Sequence, residues 1–220
     1  MLKTRVIPCL LLKGNGLVKS IKFKDYKYIG DPINAVKIFS EKQVPEIIFL
    51  NIDVDKPNLK IIQDIADEAY VPFTYGGGIK SIEDIRNVLN SGAEKVSINR
   101  YANKEFVRSA AETFGSQCII ASIDDDNIKQ AVKKAIEMEQ AGAGEILLTS
   151  IEQDGTMQGY NLELIKEVSS AVNIPVIACG GAGTKLDFKK AISAGAHAVG
   201  AGSMFVYQGK LKSVLINYDM

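Results

Sequence analysis

The chain reads as an α/β protein, a (β/α)8 barrel assembled from two similar half-barrels. Three observations predict this. First, the stretch PFTYGGGIKSIEDIRNVLNSGAEKVSIN at Pro72–Asn99 returns as PVIACGGAGTKLDFKKAISAGAHAVGAG at Pro175–Gly202, without a gap. An internal repeat is the strongest architectural statement a sequence makes. Second, short apolar β-branched runs alternate with segments of helical period along the whole chain, the pattern of βα units around parallel strands. Third, 220 residues suit one undivided α/β barrel over 1–220. Barrel closure leaves no strand edge open, so it is preferred to a doubly wound open sheet.

In chain order, strands are expected at 5–11, 46–52, 72–75, 94–98, 118–124, 145–150, 175–179 and 197–201. Helices are expected at 32–43, 58–69, 81–91, 103–114, 127–141, 161–172 and 184–194, with a short one from 203. Each copy of the repeat reads strand, glycine turn, amphipathic helix, strand, with Gly92 or Gly195 closing the helix. Glu46–Asp53 parallels Glu145–Glu152, and Ile7–Leu11 parallels Ile120–Asp124. The two-fold relation therefore makes Leu11 and Asp124 facing counterparts at the barrel mouth, where the chemistry of such folds sits. One is a carboxylate; the other cannot exchange a proton.

Gly77 and Gly78 of the first copy match Gly180 and Gly181 of the second, with Gly183 close behind. A glycine turn before a helix start exposes backbone N–H groups to an anion, so two phosphate sites are one reading. Tight βα turns with no ligand are the other. Lys19–Tyr28 alternates basic and aromatic residues; it is either a solvated loop or a lid over the mouth.

Lysine plus arginine balance aspartate plus glutamate at 26 each. No global charge draws the chain to nucleic acid or to an anionic membrane. No apolar run reaches membrane-spanning length and no leader opens the sequence, so a cytoplasmic protein is expected. Cys9, Cys118 and Cys179 fall in expected strands as core residues. With one histidine, His197, also in a strand, no metal site is expected.

VIPCLLLK, GDPINAVKIF, GGGI, VSIN, FGSQ, GAGEILLTSIEQDGTMQGY and CGGAG together resemble the cyclase subunit of imidazole glycerol phosphate synthase, a barrel of the ribulose-phosphate-binding type. The resemblance covers nearly the whole chain. It implies a substrate with a phosphate at each end, a glutaminase partner under the barrel that supplies ammonia, and no cofactor. It further implies two catalytic carboxylates, at the ends of strands one and five. The second carries over to Asp124. The first is replaced by Leu11, and Asn51 stands where the family has an aspartate. Loss of one general acid or base costs about 10²–10⁴-fold in rate. The loops Asp53–Asn58 and Asp124–Lys129 are also shorter than the family's.

By the same resemblance, Lys19, Gly77, Gly78, Asn99, Thr149, Asp154, Gly155, Thr156, Gly180, Gly181, Gly183, Gly202 and Ser203 bind substrate or phosphate. Arg5, Glu46, Lys95 and Glu145, at the starts of strands one, two, four and six, gate ammonia; a plain salt-bridged plug would need the same charges. LLLK and the ending GSMFVYQGKLKSVLINY resemble the second-copy paralogue of surface-polysaccharide gene clusters. That paralogue implies ammonia supply to a sugar amidotransferase.

Overall fold

Eight parallel strands close on themselves in the computed structural model, which describes residues 4–209 and 211–220. Residues 1–3 of the expected 1–220 domain, and Lys210 within the closing motif, lie outside the described residues. The barrel strands are β1 (Arg5–Lys13), β4 (Ile47–Asn51), β5 (Phe73–Gly76), β6 (Lys95–Ile98), β7 (Ile119–Asp124), β8 (Glu145–Thr149), β9 (Val176–Cys179) and β10 (Ala198–Ala201). Each pairs in parallel with the next, and β10 pairs with β1 to close the ring. Between them run α1 (Pro32–Glu41), α2 (Leu59–Glu68), α3 (Ile82–Asn90), α4 (Lys104–Phe114), α5 (Ile128–Ala141), α6 (Leu162–Ala171) and α7 (Lys185–Ser193). A four-residue α8 (Ser203–Val206) follows β10, and β11 (Tyr207–Gln208) pairs with β12 (Ser213–Val214).

The run expected as a solvated loop or a lid is a β-hairpin, and Lys19, Ser20, Phe23 and Tyr26 in it line the mouth. β2 (Gly16–Ile21) turns back antiparallel on β1, and β3 (Lys24–Gly30) turns back on β2. β2 is buried in its middle, whereas five residues of β3 are exposed, so the pairing comes from β1 rather than from β3's own pattern. Two smaller expectations also change. Cys118 ends a short 3-10 turn, half-buried, rather than lying in a strand; His197 sits exposed just before β10.

Side chains alternate along a strand, so each strand contributes to two cores. Outward residues such as Phe49, Tyr75, Val96, Ile146 and Val199 pack against the helices. Inward ones, Ile7, Cys9, Ile48, Ile120, Leu147, Ile177 and Ala198, fill the barrel. Such barrels stack their interior in layers of four drawn from alternate strands. The register yields these layers from bottom to top: Glu46, Lys95, Glu145 and Ala198; then Ile7, Thr74, Ile120 and Ile177; then Ile48, Ser97, Leu147 and Gly200. Above them come Cys9, Gly76, Ser122 and Cys179, then Leu50, Asn99, Thr149 and Gly202. The lower layers are bulky and closed. The upper ones lose bulk at Gly76, Gly200 and Gly202, and a cavity opens there.

The aspartates common to both repeats are caps. Asp84 accepts from Lys80 N (3.1 Å) and Ser81 Oγ (2.7 Å); Asp187 accepts from Gly183 N (3.1 Å) and Thr184 N (2.8 Å). Each satisfies donors that a helix start leaves free.

Candidate functional site

The mouth cavity has a volume of about 570 Å³ and opens at the C-terminal ends of the strands. Leu11 and Asp124 both line it, as the half-barrel symmetry requires. So do Lys19, Gly77, Gly78, Asn99, Thr149, Asp154, Gly155, Gly180, Gly181, Gly202 and Ser203. Two expected residues do not. The Thr156 hydroxyl donates to Gln153 O (2.8 Å) and accepts from Gln158 N (3.3 Å), which holds it in its own turn. Gly183 gives its N–H to Asp187 and lies against Met157, where a Cβ would fall 2.3 Å from the carbonyl oxygen.

Both glycine turns need their glycines. Gly78 has φ +70 and Gly181 φ +108, and a Cβ at Gly181 would sit 2.1 Å from Gly159 O. The short loop after β4 folds onto the first turn, bringing the Lys56 backbone to 2.5–2.7 Å from a Cβ placed on Gly78. The longer loop after β8 covers the second turn in the same way. The turns thus share one cavity and one construction.

Asp124 is the site's most perturbed carboxyl. Burial raises its pKa from 3.8 to about 6 and the charge of Asp154 adds to this, while hydrogen bonds from Thr149, Asn99 and Ser122 oppose it. Asn99 Nδ2 donates to it at 2.5 Å. Asp154 is also raised, chiefly by burial, against the nearby Lys19 charge and its bond from Ser20 Oγ (3.1 Å). Two neighbouring carboxyls held above the ordinary carboxylate range by burial suit general acid and base work. Leu11 adds none. Asn51 turns its amide to the Tyr75 hydroxyl (3.1 Å), leaving Oδ1 buried without a partner.

Lys19 is only 6% exposed, and its ammonium lies over Gly202, where a Cβ would come within 2.0 Å of Nζ. The hairpin that carries it is fastened across the mouth. Lys22 N donates to Asp154 O (2.9 Å), Lys22 Nζ meets Glu152 (2.6 Å), and Gly155 admits Ser20 O where a side chain would not fit. At the hairpin's other end Lys13 pairs with Asp53 (3.1 Å) and lies over the Tyr26 ring.

The opposite end of the barrel carries the four expected charges as a closed ring. Arg5 bonds Glu46 and Glu145 at 2.8 Å each; Lys95 reaches Glu145 at 2.8 Å and Glu46 at 3.4 Å. Thr74 Oγ1 completes the shell of Glu46 at 2.8 Å. Burial alone would raise Glu145, but the hydrogen bonds from Arg5 and Lys95 outweigh it and the pKa is lowered.

Sequence reasoning missed the cavity floor. Ser97, Ser122, Cys9 and Cys179 line it, and Ser97 Oγ is buried without a partner. The signal was the two-residue alternation: Ser97 precedes Asn99 by two and Ser122 precedes Asp124 by two, so they share an inward face. Arg100 and Tyr101 at the rim were also missed, whereas Phe23 and Tyr26 belong to the Lys19–Tyr28 run. Among the described residues, no group of three or more His, Cys, Asp or Glu side chains is placed to hold a metal. No helix there is long and apolar enough to cross a membrane.

Comparison with known proteins agrees with this geometry. The family model described as histidine biosynthesis protein matches residues 5–212. A putative imidazole glycerol phosphate synthase subunit hisF2 of Pseudomonas aeruginosa is 44% identical, over 99% of this chain and 96% of its own length. The corresponding hisF2 of Campylobacter jejuni is 42% identical, over 93% and 90%. The imidazole glycerol phosphate synthase subunit HisF of Hydrogenobaculum is also 42% identical, over 87% and 85%. The Pseudomonas alignment runs to 245 positions, longer than this chain, so that relative carries residues this one lacks. The chain belongs to the histidine biosynthesis protein family and, within it, to the group of imidazole glycerol phosphate synthase HisF subunits and their second copies.

Proposed function

We propose that this barrel takes ammonia from a glutaminase docked beneath it and binds a ligand with a phosphate at each end in its mouth. The ammonia serves sugar amidination for a surface polysaccharide, through a separate amidotransferase. Arg5, Glu46, Lys95 and Glu145 act as the entrance. Above them Ile7, Ile120 and Ile177 form an apolar layer that neutral ammonia crosses far more cheaply than ammonium, because an unpaired ion pays heavily for burial. Gly77, Gly78 and Asn99 hold one phosphate; Gly180, Gly181, Gly202 and Ser203 hold the other, with Lys19 beside them. Thr149, Asp154 and Gly155 contact the middle of the ligand, and Asp124 remains as its proton-transfer group.

The observation that carries this reading is the pairing of an intact charged ring with Leu11 in the place of a catalytic carboxylate. A second reading, a working histidine-pathway cyclase, is favoured by Asp124, whose pKa suits that chemistry. The separating experiment is turnover of the phosphoribulosyl substrate of imidazole glycerol phosphate synthase with added ammonium. Our reading expects a trace at most. Robust turnover would make the chain a cyclase, and glutaminase stimulation with no phospholigand bound would make it an activating scaffold.

A further inference from the structure

The layer just under the mouth holds two thiols that the proposed chemistry does not use. Cys9 on β1 and Cys179 on β9 reach toward each other over Gly200 on the intervening β10. A Cβ at Gly200 would lie 2.7 Å from Cys9 Sγ and 3.4 Å from Cys179 Sγ, so the missing side chain is what lets the thiols meet. Both line the cavity floor.

We propose that Cys9 and Cys179 form a two-coordinate site for a soft monovalent d10 cation, with cuprous ion as its physiological form. The alternative for a thiol pair fits less well. A disulfide needs Cα atoms within about 7 Å, but two strand spacings separate β1 from β9, about 9 Å in all. A bridging atom spans the gap that a direct S–S bond does not.

Soft thiolate pairs select Cu(I) over harder divalent ions, which demand more ligands than this layer offers. The third and fourth members of the layer, Gly76 and Ser122, add at most a hydroxyl. Binding releases two protons: two thiols and Cu⁺ give a bis-thiolate complex of charge −1. That charge is costly in a closed interior unless a cation stands near. Lys19 supplies one, since its ammonium and the Cys9 carbonyl converge on Gly202. A filled site would close the floor between the apolar layer and the mouth, so copper would stop ammonia; this consequence alone rests on the proposed function.

The test uses the full chain carrying Cys118→Ser, which removes the remaining thiol. Cuprous ion is offered from its bathocuproine disulfonate complex, and uptake is read from loss of that complex's colour. One equivalent per chain is expected. Cys9→Ser and Cys179→Ser should each weaken uptake at least about 100-fold. Gly200→Ala should do so with both thiols still titratable, and circular dichroism melting establishes that each variant is folded. Diamide should leave both thiols free. No uptake by the parent, undiminished uptake by Cys179→Ser or Gly200→Ala, or a diamide-formed disulfide would overturn the site. Uptake is read on the chain alone, so these outcomes do not depend on whether ammonia passes through it.

Discussion

The two ends of this barrel treat charge in opposite ways. At the bottom, two cations and two anions meet in a ring in which every carboxylate has at least two partners. At the mouth, Asp124 has an amide and hydroxyls but no cation among its perturbers, and across from it stands Leu11. The ring is complete without a ligand. The mouth is not: Lys19 is buried with no ion pair among those described, and Asn51 Oδ1 and Ser97 Oγ have no partner. Groups left unpaired in a folded protein are costly, and two of the three such atoms among the described residues line the mouth cavity, the third, Ser169 Oγ, being on α6.

The sharpest way to break this contrast is to give the mouth the charge it lacks. Leu11→Asp restores a facing carboxylate and should raise ammonium-dependent cyclase turnover by about 10²–10⁴-fold over the parent. An unchanged rate would mean that Leu11 is not what disables the step.

The next largest effect lies at the bottom. Glu46→Ala leaves Arg5 and Lys95 with Glu145 as their one anion and Thr74 Oγ1 without its acceptor, and should cost about 1–3 kcal/mol in urea unfolding. The same ring has a pH signature. Because the pKa of Glu145 is lowered in the folded state, its contribution is present above the ordinary value of 4.5 and disappears as pH falls through the folded value. Asp124 has the opposite sign. Its folded pKa is raised to about 6, so protonated Asp124 favours the fold and that stability is lost as pH rises from 3.8 through about 6. Asp124→Asn should therefore stabilise the chain above pH 6 by an amount of order 1–3 kcal/mol, and leave it unchanged near pH 4.

The smallest effect belongs to the hairpin. Lys22→Ala removes an exposed pair with Glu152 and should cost under about 1 kcal/mol, less still at high salt. A larger loss would mean that the hairpin is anchored through that pair rather than through Ser20 and the Lys22 backbone.

Much of this was legible in the residues because the cause is local. The repeat fixes strand, glycine turn and cap together, with Asp84 and Asp187 doing the same work in each copy. The ring was legible because its four charges stand at strand starts, at the bottom of the barrel. The hairpin was not, because β3 has no apolar face and is held only by a neighbour already in place. Thr156 and Gly183 lie off the cavity lining for a related reason: a motif fixes a residue's place in the chain, whereas a competing local bond decides where its polar atoms point. The thiol pair needed the register of three strands, which no single stretch contains.

The central claim is that one cavity holds two anion cradles, one on each half-barrel. Calorimetric titration with inorganic phosphate tests it most directly. The account predicts two equivalents per chain, one abolished by Gly78→Ala and the other by Gly181→Ala, with the remaining site intact in each. A single equivalent, or loss of both sites from either substitution, would contradict it.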